Sequence, residues 1–364
     1  MPLSNIQPDR YDEQLAEKVA RYKADFAAFA LPEPQVFASA PLHYRMRAEF
    51  RVWHDGDRLD YAMFAAADPR TPIAIADFPV ADPRIANVMP TLRDALCSAD
   101  ILRRRLFQVE FLATLAGDLL VTLIYHRELD AAWEAAARAL ADQLGIVILG
   151  RSRKQKVVLA RDWVQESFEL DGRTLSYRQI EGSFSQPNGS VNRRMLGWAR
   201  QVVQQTGMGG DLLELYCGNG NFTIALAPLF GKVLATEVSK TSVYAAQHNL
   251  AANGVGNVAL VRMASEEISG ALAGEREYRR MDGIALSDYQ FSTLFVDPPR
   301  AGLDDGTLQL AQRFDHILYI SCNPETLRAN VAALSDTHRI AAAAAFDQFP
   351  YTHHLEAGLL LVRR

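Results

Sequence analysis

The chain has 364 residues, 49% hydrophobic and 22% charged, with a formal net charge of −5. That is ordinary globular composition, which excludes disorder and collagen-like repeats and suits two domains or one large one. No run approaches the roughly 18–20 uninterrupted apolar residues of a membrane span, and the first residues lack a basic segment with an apolar core, so a cytoplasmic location with no membrane role is expected.

A helix is predicted over 11–29, where Leu15, Val19, Tyr22 and Phe26 recur at three- to four-residue spacing. Residues 45–54 alternate as a strand does, 61–65 and 107–115 read as extended, and 119–126 is a β-rich run after the turn at Gly117-Asp118. Residues 129–144 return to helix, and 146–149 and 156–160 read as strands. Strands and helices mixed without βαβ regularity predict an N-terminal α+β domain. Basic groups concentrate in it: Arg45, Arg47 and Arg51 along one strand, the run Arg103-Arg104-Arg105, and Arg151-Ser-Arg-Lys-Gln-Lys156. Phosphate contacts depend on local patches and not on net charge, so an RNA-binding surface on this half is compatible with an acidic chain.

From about residue 190 strands and helices alternate. Strands are predicted at 212–216, 232–236, 258–262, 293–296 and 317–320, with helices at 222–228, 240–253, 305–313 and 324–334 and a loop-rich insertion at 266–292. The alternation predicts a doubly wound, mostly parallel sheet. Residues 340–346 and 358–362 are two strands joined only by a loop, hence an antiparallel pair. The boundary falls near 177–192, giving an RNA-binding region at 1–180 and a catalytic domain at 181–364.

In an open α/β sheet, ligands bind beyond the carboxyl ends of the strands. Glu214, Glu237, Asp297 and Cys322 all stand at such ends. The turn Cys217-Gly-Asn-Gly220 lacks a third glycine opening the helix, where Phe222-Thr223 stands, and this disfavours a pyrophosphate cradle. Glu237, roughly twenty residues beyond the first glycine, is placed to accept hydrogen bonds from ribose hydroxyls, or is simply a surface carboxylate. Ribose recognition without a phosphate cradle fits S-adenosyl-L-methionine. The pattern resembles the class I S-adenosylmethionine-dependent methyltransferase fold, Rossmann-like, whose sheet also ends in an antiparallel hairpin. Tyr216 and Asn221 would then line the cofactor pocket, with Gln186 reaching it from the domain junction.

Cys322 lies just ahead of a helix opened by Asn323 and Pro324, whose partial positive charge favours thiolate over thiol. The plain alternative is a small buried hydrophobe. The loop from Asp347 to Glu356 returns to the same sheet edge and brings Glu356 within reach of Cys322. Thiolate, carboxylate and methyl donor together suit methylation of uracil. Addition of the thiolate to C6 makes an enolate whose C5 attacks the methyl group, and a base then removes the C5 proton so that the thiolate can leave.

Three motifs, Asp297-Pro-Pro-Arg-Ala-Gly-Leu303, Tyr319-Ile-Ser-Cys-Asn-Pro-Glu-Thr-Leu327 and His353-His-Leu-Glu-Ala-Gly358, resemble the signatures of RNA uracil-C5 methyltransferases. Tyr44-Arg-Met-Arg-Ala-Glu-Phe-Arg51, Trp53-His-Asp-Gly56 and Asp347-Gln-Phe-Pro-Tyr-Thr-His-His354 are similar to the tRNA-acting members of that family. The resemblance spans the chain. It implies Cys322 as nucleophile, Glu356 as proton acceptor, and Gln186, Tyr216, Asn221, Glu237 and Asp297 as cofactor contacts. It further implies 5-methyluridine at position 54 in the T-loop of tRNA as product, with tmRNA bearing a T-like arm as a further substrate. A stacked uracil must be extruded before a thiolate reaches it. Phe107 is a candidate stacking aromatic, or equally a core residue, and Glu49, Arg51 and His126 are candidates for contacts with loop bases or phosphates.

Ribosomal-RNA relatives carry an iron–sulfur cluster. Cys97, Cys217 and Cys322 are too few for four thiolate ligands and too far apart for a CxxC site, so no cluster and no metal are expected. His353 and His354 are adjacent and point in different directions, with no third ligand spaced to join them. A cytosine-C5 enzyme is expected to carry a second cysteine where Arg300 stands. The rival of another class is a tRNA-folding protein that uses the basic half without turnover. No obligatory protein partner is expected.

Overall fold

The computed structural model describes residues 3–65 and 68–364. The strands of the N-terminal half are β1 (Gln35–Phe37), β2 (Arg47–Asp55), β3 (Arg58–Ala65), β4 (Asp68–Ala74), β5 (Leu106–Ala113), β6 (Leu119–Tyr125), β7 (Val147–Ser152), β8 (Gln155–Val158), β9 (Trp163–Leu170) and β10 (Arg173–Ile180). Those that follow are β11 (Asp211–Leu215), β12 (Val233–Thr236), β13 (Val258–Val261), β14 (Phe291–Val296), β15 (His316–Ser321), β16 (His338–Phe346) and β17 (Glu356–Arg363). The α-helices are α1 (Tyr11–Asp25), α2 (Pro83–Ser98), α3 (Asp100–Arg103), α4 (Ala131–Leu144), α5 (Gly189–Thr206), α6 (Asn221–Leu226), α7 (Lys240–Ala252), α8 (Ser265–Leu272), α9 (Asp305–Ala311) and α10 (Pro324–Leu334).

The chain forms two interleaved units. The first takes Met1–Pro8, Ala40–Ser167 and Gln179–Gly189; the second takes Asp9–Ser39, Phe168–Arg178 and Ser190–Arg364. A single cut near residue 180 therefore does not describe how the chain is partitioned. The reason lies in α1, whose Tyr22 and Phe26 join Leu213, Ile317 and Leu334 in the core of the second unit.

In the second unit β11 and β12 are buried along their whole length, as apolar runs must be in parallel strands covered on both faces. The sheet order is β1-β16-β17-β15-β14-β11-β12-β13. Neighbours from β13 through β15 are parallel, and β17 inserts antiparallel between β15 and β16. This is the doubly wound sheet with a terminal hairpin that the sequence predicts. The strand order reverses between β11 and β14, which opens a crevice at their carboxyl ends.

The first unit holds a sheet of order β4-β3-β2-β5-β6-β7-β8, antiparallel except at β6 and β7, which α4 connects. Ala48, Phe50, Val109 and Phe111 bury one face, while Arg47, Glu49, Arg51, Gln108 and Glu110 alternate on the other.

Several elements were not expected from the sequence, among them β1, β4 and, within the stretch read as loop-rich, α8. Helix α2 buries Ile85, Met89, Leu92 and Leu96 at helical spacing but carries Pro90 in its interior, the residue that ordinarily ends a helix. Helix α5 begins on glycine and contains a second, Gly197. The ribbon of β9 and β10 turns at Asp171-Gly172, both with positive φ (49° and 72°), the Asp-Gly signature of a two-residue hairpin.

Helix α1 is tied to the loop ahead of β17 by a buried ion pair. Lys18 Nζ donates to Asp347 Oδ1 at 2.7 Å and to the Phe349 carbonyl at 2.8 Å, and the Tyr11 hydroxyl donates to Asp347 Oδ2 at 2.9 Å. Removing one partner of a buried pair leaves an uncompensated charge, which costs about 3–5 kcal/mol. Lys18→Met is therefore expected to lower unfolding free energy in urea by that amount, and Lys18→Met/Asp347→Leu to recover most of it. Equal losses in the single and double variants would contradict the assignment.

Candidate active site

Six crossings of the second unit's sheet deliver functional groups to one edge. Strand β11 runs into Tyr216, held at φ 60° in a tight turn that few non-glycine residues adopt. Strand β12 ends at Glu237, β13 leads to Ser265, β14 to Asp297 and β15 to Cys322. Because β17 is antiparallel, its first residue, Glu356, lies at the same edge. Its register sets Ile320 opposite Gly358 and Ser321 opposite Ala357. One further step puts Cys322 opposite Glu356, where directly opposed residues have Cβ atoms about 5 Å apart.

Local hydrogen bonds fix the turn that carries Cys322. The Asn323 side chain caps α10 by accepting from Glu325 N at 3.2 Å, and its Nδ2 donates to the Arg300 carbonyl at 3.0 Å. Thr326 Oγ1 donates to the same carbonyl at 3.2 Å. Arg300 is thereby held beside the thiol, and its Nη2 donates to a ring nitrogen of His354 at 3.0 Å. The loop then turns sharply at Gly302, φ 79°, where a Cβ would meet Asn330 Oδ1 at 2.7 Å.

Electrostatics at this edge run against the expectation of a ready thiolate. Burial, then the carboxyls of Glu356 and Asp297, push the Cys322 thiol up, and Arg300 opposes them. The thiol precedes the N-cap of α10, and that helix terminus does not outweigh two acids and desolvation. Burial raises Glu356 to about 8, with Asp297 adding to the rise and Arg300 opposing it. Burial likewise raises Asp297 to about 7. Glu214, 1% exposed, is raised to about 8 by burial against the opposing hydrogen bonds of Thr223.

A cavity of about 420 Å³ lies between the ends of β11, β12 and β13 and the loop after β14. Tyr216, Val238, Pro299 and Leu303 give it apolar walls, and Glu237, Ser265 and Asp304 give it acceptors. Glu237 Oε2 accepts from Gly218 N at 3.0 Å and Oε1 from Ser239 N at 2.7 Å. Those bonds orient the carboxylate and leave a lone pair on each oxygen for a diol. The Tyr216 hydroxyl donates to Ser265 Oγ at 2.8 Å. Asn221 opens α6 and exchanges side-chain hydrogen bonds with Asn192 at 2.9 and 3.1 Å. An apolar slot beside a fixed carboxylate fits the adenosine of S-adenosyl-L-methionine, whose sulfonium supplies an electrophilic methyl group. Of the residues expected to contact that cofactor, Tyr216 and Glu237 line this cavity, whereas Asn221 and Asp297 are not among its lining residues.

Gln186 and the candidate RNA contacts belong to the first unit. Gln186 is half-buried in the loop between β10 and α5. Phe107 is the extra residue of a bulge, since Leu106 pairs with Tyr125 and Gln108 with Ile124. A bulge re-aims a side chain, and here the ring stacks on His126 at 4.0 Å with Arg51 4.3 Å above it. Phe107 is thus a half-buried surface aromatic and not a core residue. Exposed Glu49 stands opposite Glu110, two residues before Arg51 on β2. Much of the basic run is already paired: Arg103 with Asp57 and Asp100, Arg151 with Glu181, and Lys156 with Asp162. Arg104, Arg105, Arg153 and Lys154 remain exposed.

Residues 10–364 match the family model for tRNA (Uracil-5-)-methyltransferase. The chain belongs to this family. It is 68% identical over 361 residues to the tRNA/tmRNA (uracil-C(5))-methyltransferase of Azoarcus sp. (strain BH72), covering 99% of both chains. To the protein of that name from Aromatoleum aromaticum it is 67% identical over 364 residues, 100% of this chain and 98% of the relative. Pyrococcus abyssi tRNA (uracil-54, C5)-methyltransferase, solved with S-adenosyl-L-homocysteine, superposes with a TM-score of 0.73 at 21% identity, covering 97% of this chain and 83% of that one. That likeness is one of fold, and the fold is that of a class I S-adenosylmethionine-dependent methyltransferase. Among the described residues no helix is long and apolar enough to cross a membrane.

Arg300 and Asn192 were not assigned a site role from the sequence, and Glu214 was placed at the ligand edge without one. Arg300 sits within a recognised motif, whereas nothing in a lone strand acid announces that burial raises Glu214. The sign of its effect on stability is fixed. A carboxyl raised from 4.5 to about 8 on folding contributes stability below the unfolded value that is lost as pH rises through the folded one. Between pH 5 and pH 9 the native chain is expected to lose roughly 3–5 kcal/mol more than Glu214→Gln in urea titrations. Parallel profiles would show that Glu214 is ionised in the fold.

Proposed function

We propose that this protein transfers the methyl group of S-adenosyl-L-methionine to C5 of uridine 54 in the T-loop of tRNA, giving 5-methyluridine. The observation that carries the reading is the antiparallel register of β15 and β17, which sets Ser321 opposite Ala357 and so brings the next residues, a half-buried thiol and a buried carboxyl, to one edge of the sheet. Cys322 adds to uracil C6, and C5 of the resulting enolate takes the methyl group. Glu356 then accepts the C5 proton, and the C6–S bond breaks to release Cys322. Arg300 lies where it can stabilise the thiolate before attack. The relatives' names extend the substrate class to tmRNA, an RNA with a T-like arm.

The first unit supports the choice of a folded RNA as substrate. A flipped uridine leaves a gap in the loop stack. The platform of Arg51, Phe107 and His126 offers a π-face and a cation to unstacked bases. The exposed arginines near Phe107, Arg104 and Arg105, suit phosphates, and Glu49 suits the amino edge of a base.

A T-arm with 5-fluorouridine at position 54 is the direct test, because fluorine does not leave as a proton does. With S-adenosyl-L-methionine it is expected to form a denaturation-resistant covalent complex with the native chain and none with Cys322→Ala. Glu356→Gln is expected to accumulate a methylated adduct on ordinary uridine with turnover reduced about 100-fold or more, the scale of a general base. Absence of an adduct with intact Cys322 would overturn the mechanism, and modification at another nucleotide would overturn the assigned position.

A further inference from the structure

Glu214 in β11, Asp297 after β14 and Glu356 at the start of β17 meet at one edge of the sheet. Glu214 is 1% exposed and Glu356 4%, and Oε2 of each lacks a hydrogen-bond partner among the described residues. Each acts electrostatically on or is acted on by Asp297, which follows the strand between β11 and β15. Arg300 is the cation that acts on Glu356, and it is shared with Cys322 and His354. The remaining titratable neighbours, Cys217 beside Glu214 and Tyr319 beside Asp297, are neutral groups that offer no compensating positive charge. Two buried carboxylates and a half-buried third, sharing one exposed guanidinium, form a costly arrangement, and the cheaper state keeps a proton.

We propose that Glu214, Asp297 and Glu356 share at least one proton in the cofactor-free enzyme and release it to solvent when S-adenosyl-L-methionine binds. Glu356 then becomes an anionic base only when the methyl donor is in place. The inference rests on the reading of Asp297 as a cofactor contact. The sulfonium brings a positive charge to this edge, and ionisation of one carboxyl balances it. After methyl transfer the sulfur is neutral and Glu356 takes the C5 proton, while the expelled Cys322 thiolate regains from solvent a proton in place of the one it gave up to solvent before attack, so the charge at the edge returns to its starting value. Upward shifts of all three carboxyls toward neutrality agree with this exchange. The same arrangement discourages Cys322 from adding to uracil in the absence of a donor, because two carboxyls hold its proton until a cation offsets them.

Calorimetric titration of the full chain in two buffers of different ionisation enthalpy at pH 7 counts the protons exchanged. The free α-amino group of either ligand, with a pKa near 8, is then already mostly protonated. S-adenosyl-L-methionine is expected to release between about half and one proton more than S-adenosyl-L-homocysteine, and its affinity relative to the product to rise up to about tenfold per pH unit below pH 7. Asp297→Asn is expected to shrink that difference, while Glu237→Gln weakens both ligands without changing it. Equal proton counts for the two ligands, with both bound and Glu237→Gln weakening both, would overturn the proton exchange while leaving the cofactor site standing. Unchanged affinity of Glu237→Gln for both would overturn the cofactor site and the inference with it.

Discussion

Burial of acids against a single guanidinium is the constraint on which the active edge depends. Asp297 and Glu356 both lie at the carboxyl edge of the sheet with Arg300 beside them; burial raises both, and Asp297 adds to the rise of Glu356. Cys322 faces the same pair and is held as a thiol. In the reading proposed for this site the resting state is therefore quiet, with burial and two carboxyls holding the proton on Cys322. A cation placed among them relieves both at once, and the reaction proposed for this site begins with a cationic methyl donor.

The backbone imposes that crowding. Only an antiparallel β17 can start at the edge where the parallel strands end, and its register against β15 sets Ser321 opposite Ala357, so that Cys322 and Glu356 are the next residues at that edge. Asn323 and Thr326 clamp the Arg300 carbonyl from the next turn and so fix the backbone from which its guanidinium reaches His354. The loop ahead of β17 is held from outside the sheet by Lys18 and Tyr11 through Asp347. A helix near the N-terminus thus supports the last strand, and this is why residues 9–39 fold with the second unit.

Most of the second unit was legible because period and length agree there: short apolar strands, helices between them, and a capped turn at Asn323-Pro324. Helix α2 was hidden by Pro90, although Ile85, Met89, Leu92 and Leu96 carry its stripe. The three residues of β1 are too few to show any alternation. The partition of the chain was not legible because the stripe of α1 says that the helix buries a face and not against which sheet. At the candidate site, the carboxylates, the thiol and Glu237 were read from strand ends and motifs. Their ionisation was not, because desolvation and the opposing carboxyls come from β14 and β17, far from Cys322 in sequence. The helix terminus next to Cys322 is the local part of its field, and the local part is outweighed. Phe107 shows the same limit in another form, since a bulge and not the strand's alternation decides where its ring points.

The central claim is that Glu356 and Asp297 restrain the Cys322 thiol. The rate of iodoacetamide alkylation of Cys322 against pH, followed by mass spectrometry of its own peptide so that Cys97 and Cys217 do not contribute, reads this directly. An apparent pKa above the ordinary value of about 8.5, falling when Glu356 is replaced by glutamine, is the predicted result. A value below 8.5 in the native chain, or one that Glu356→Gln leaves unmoved, would contradict it.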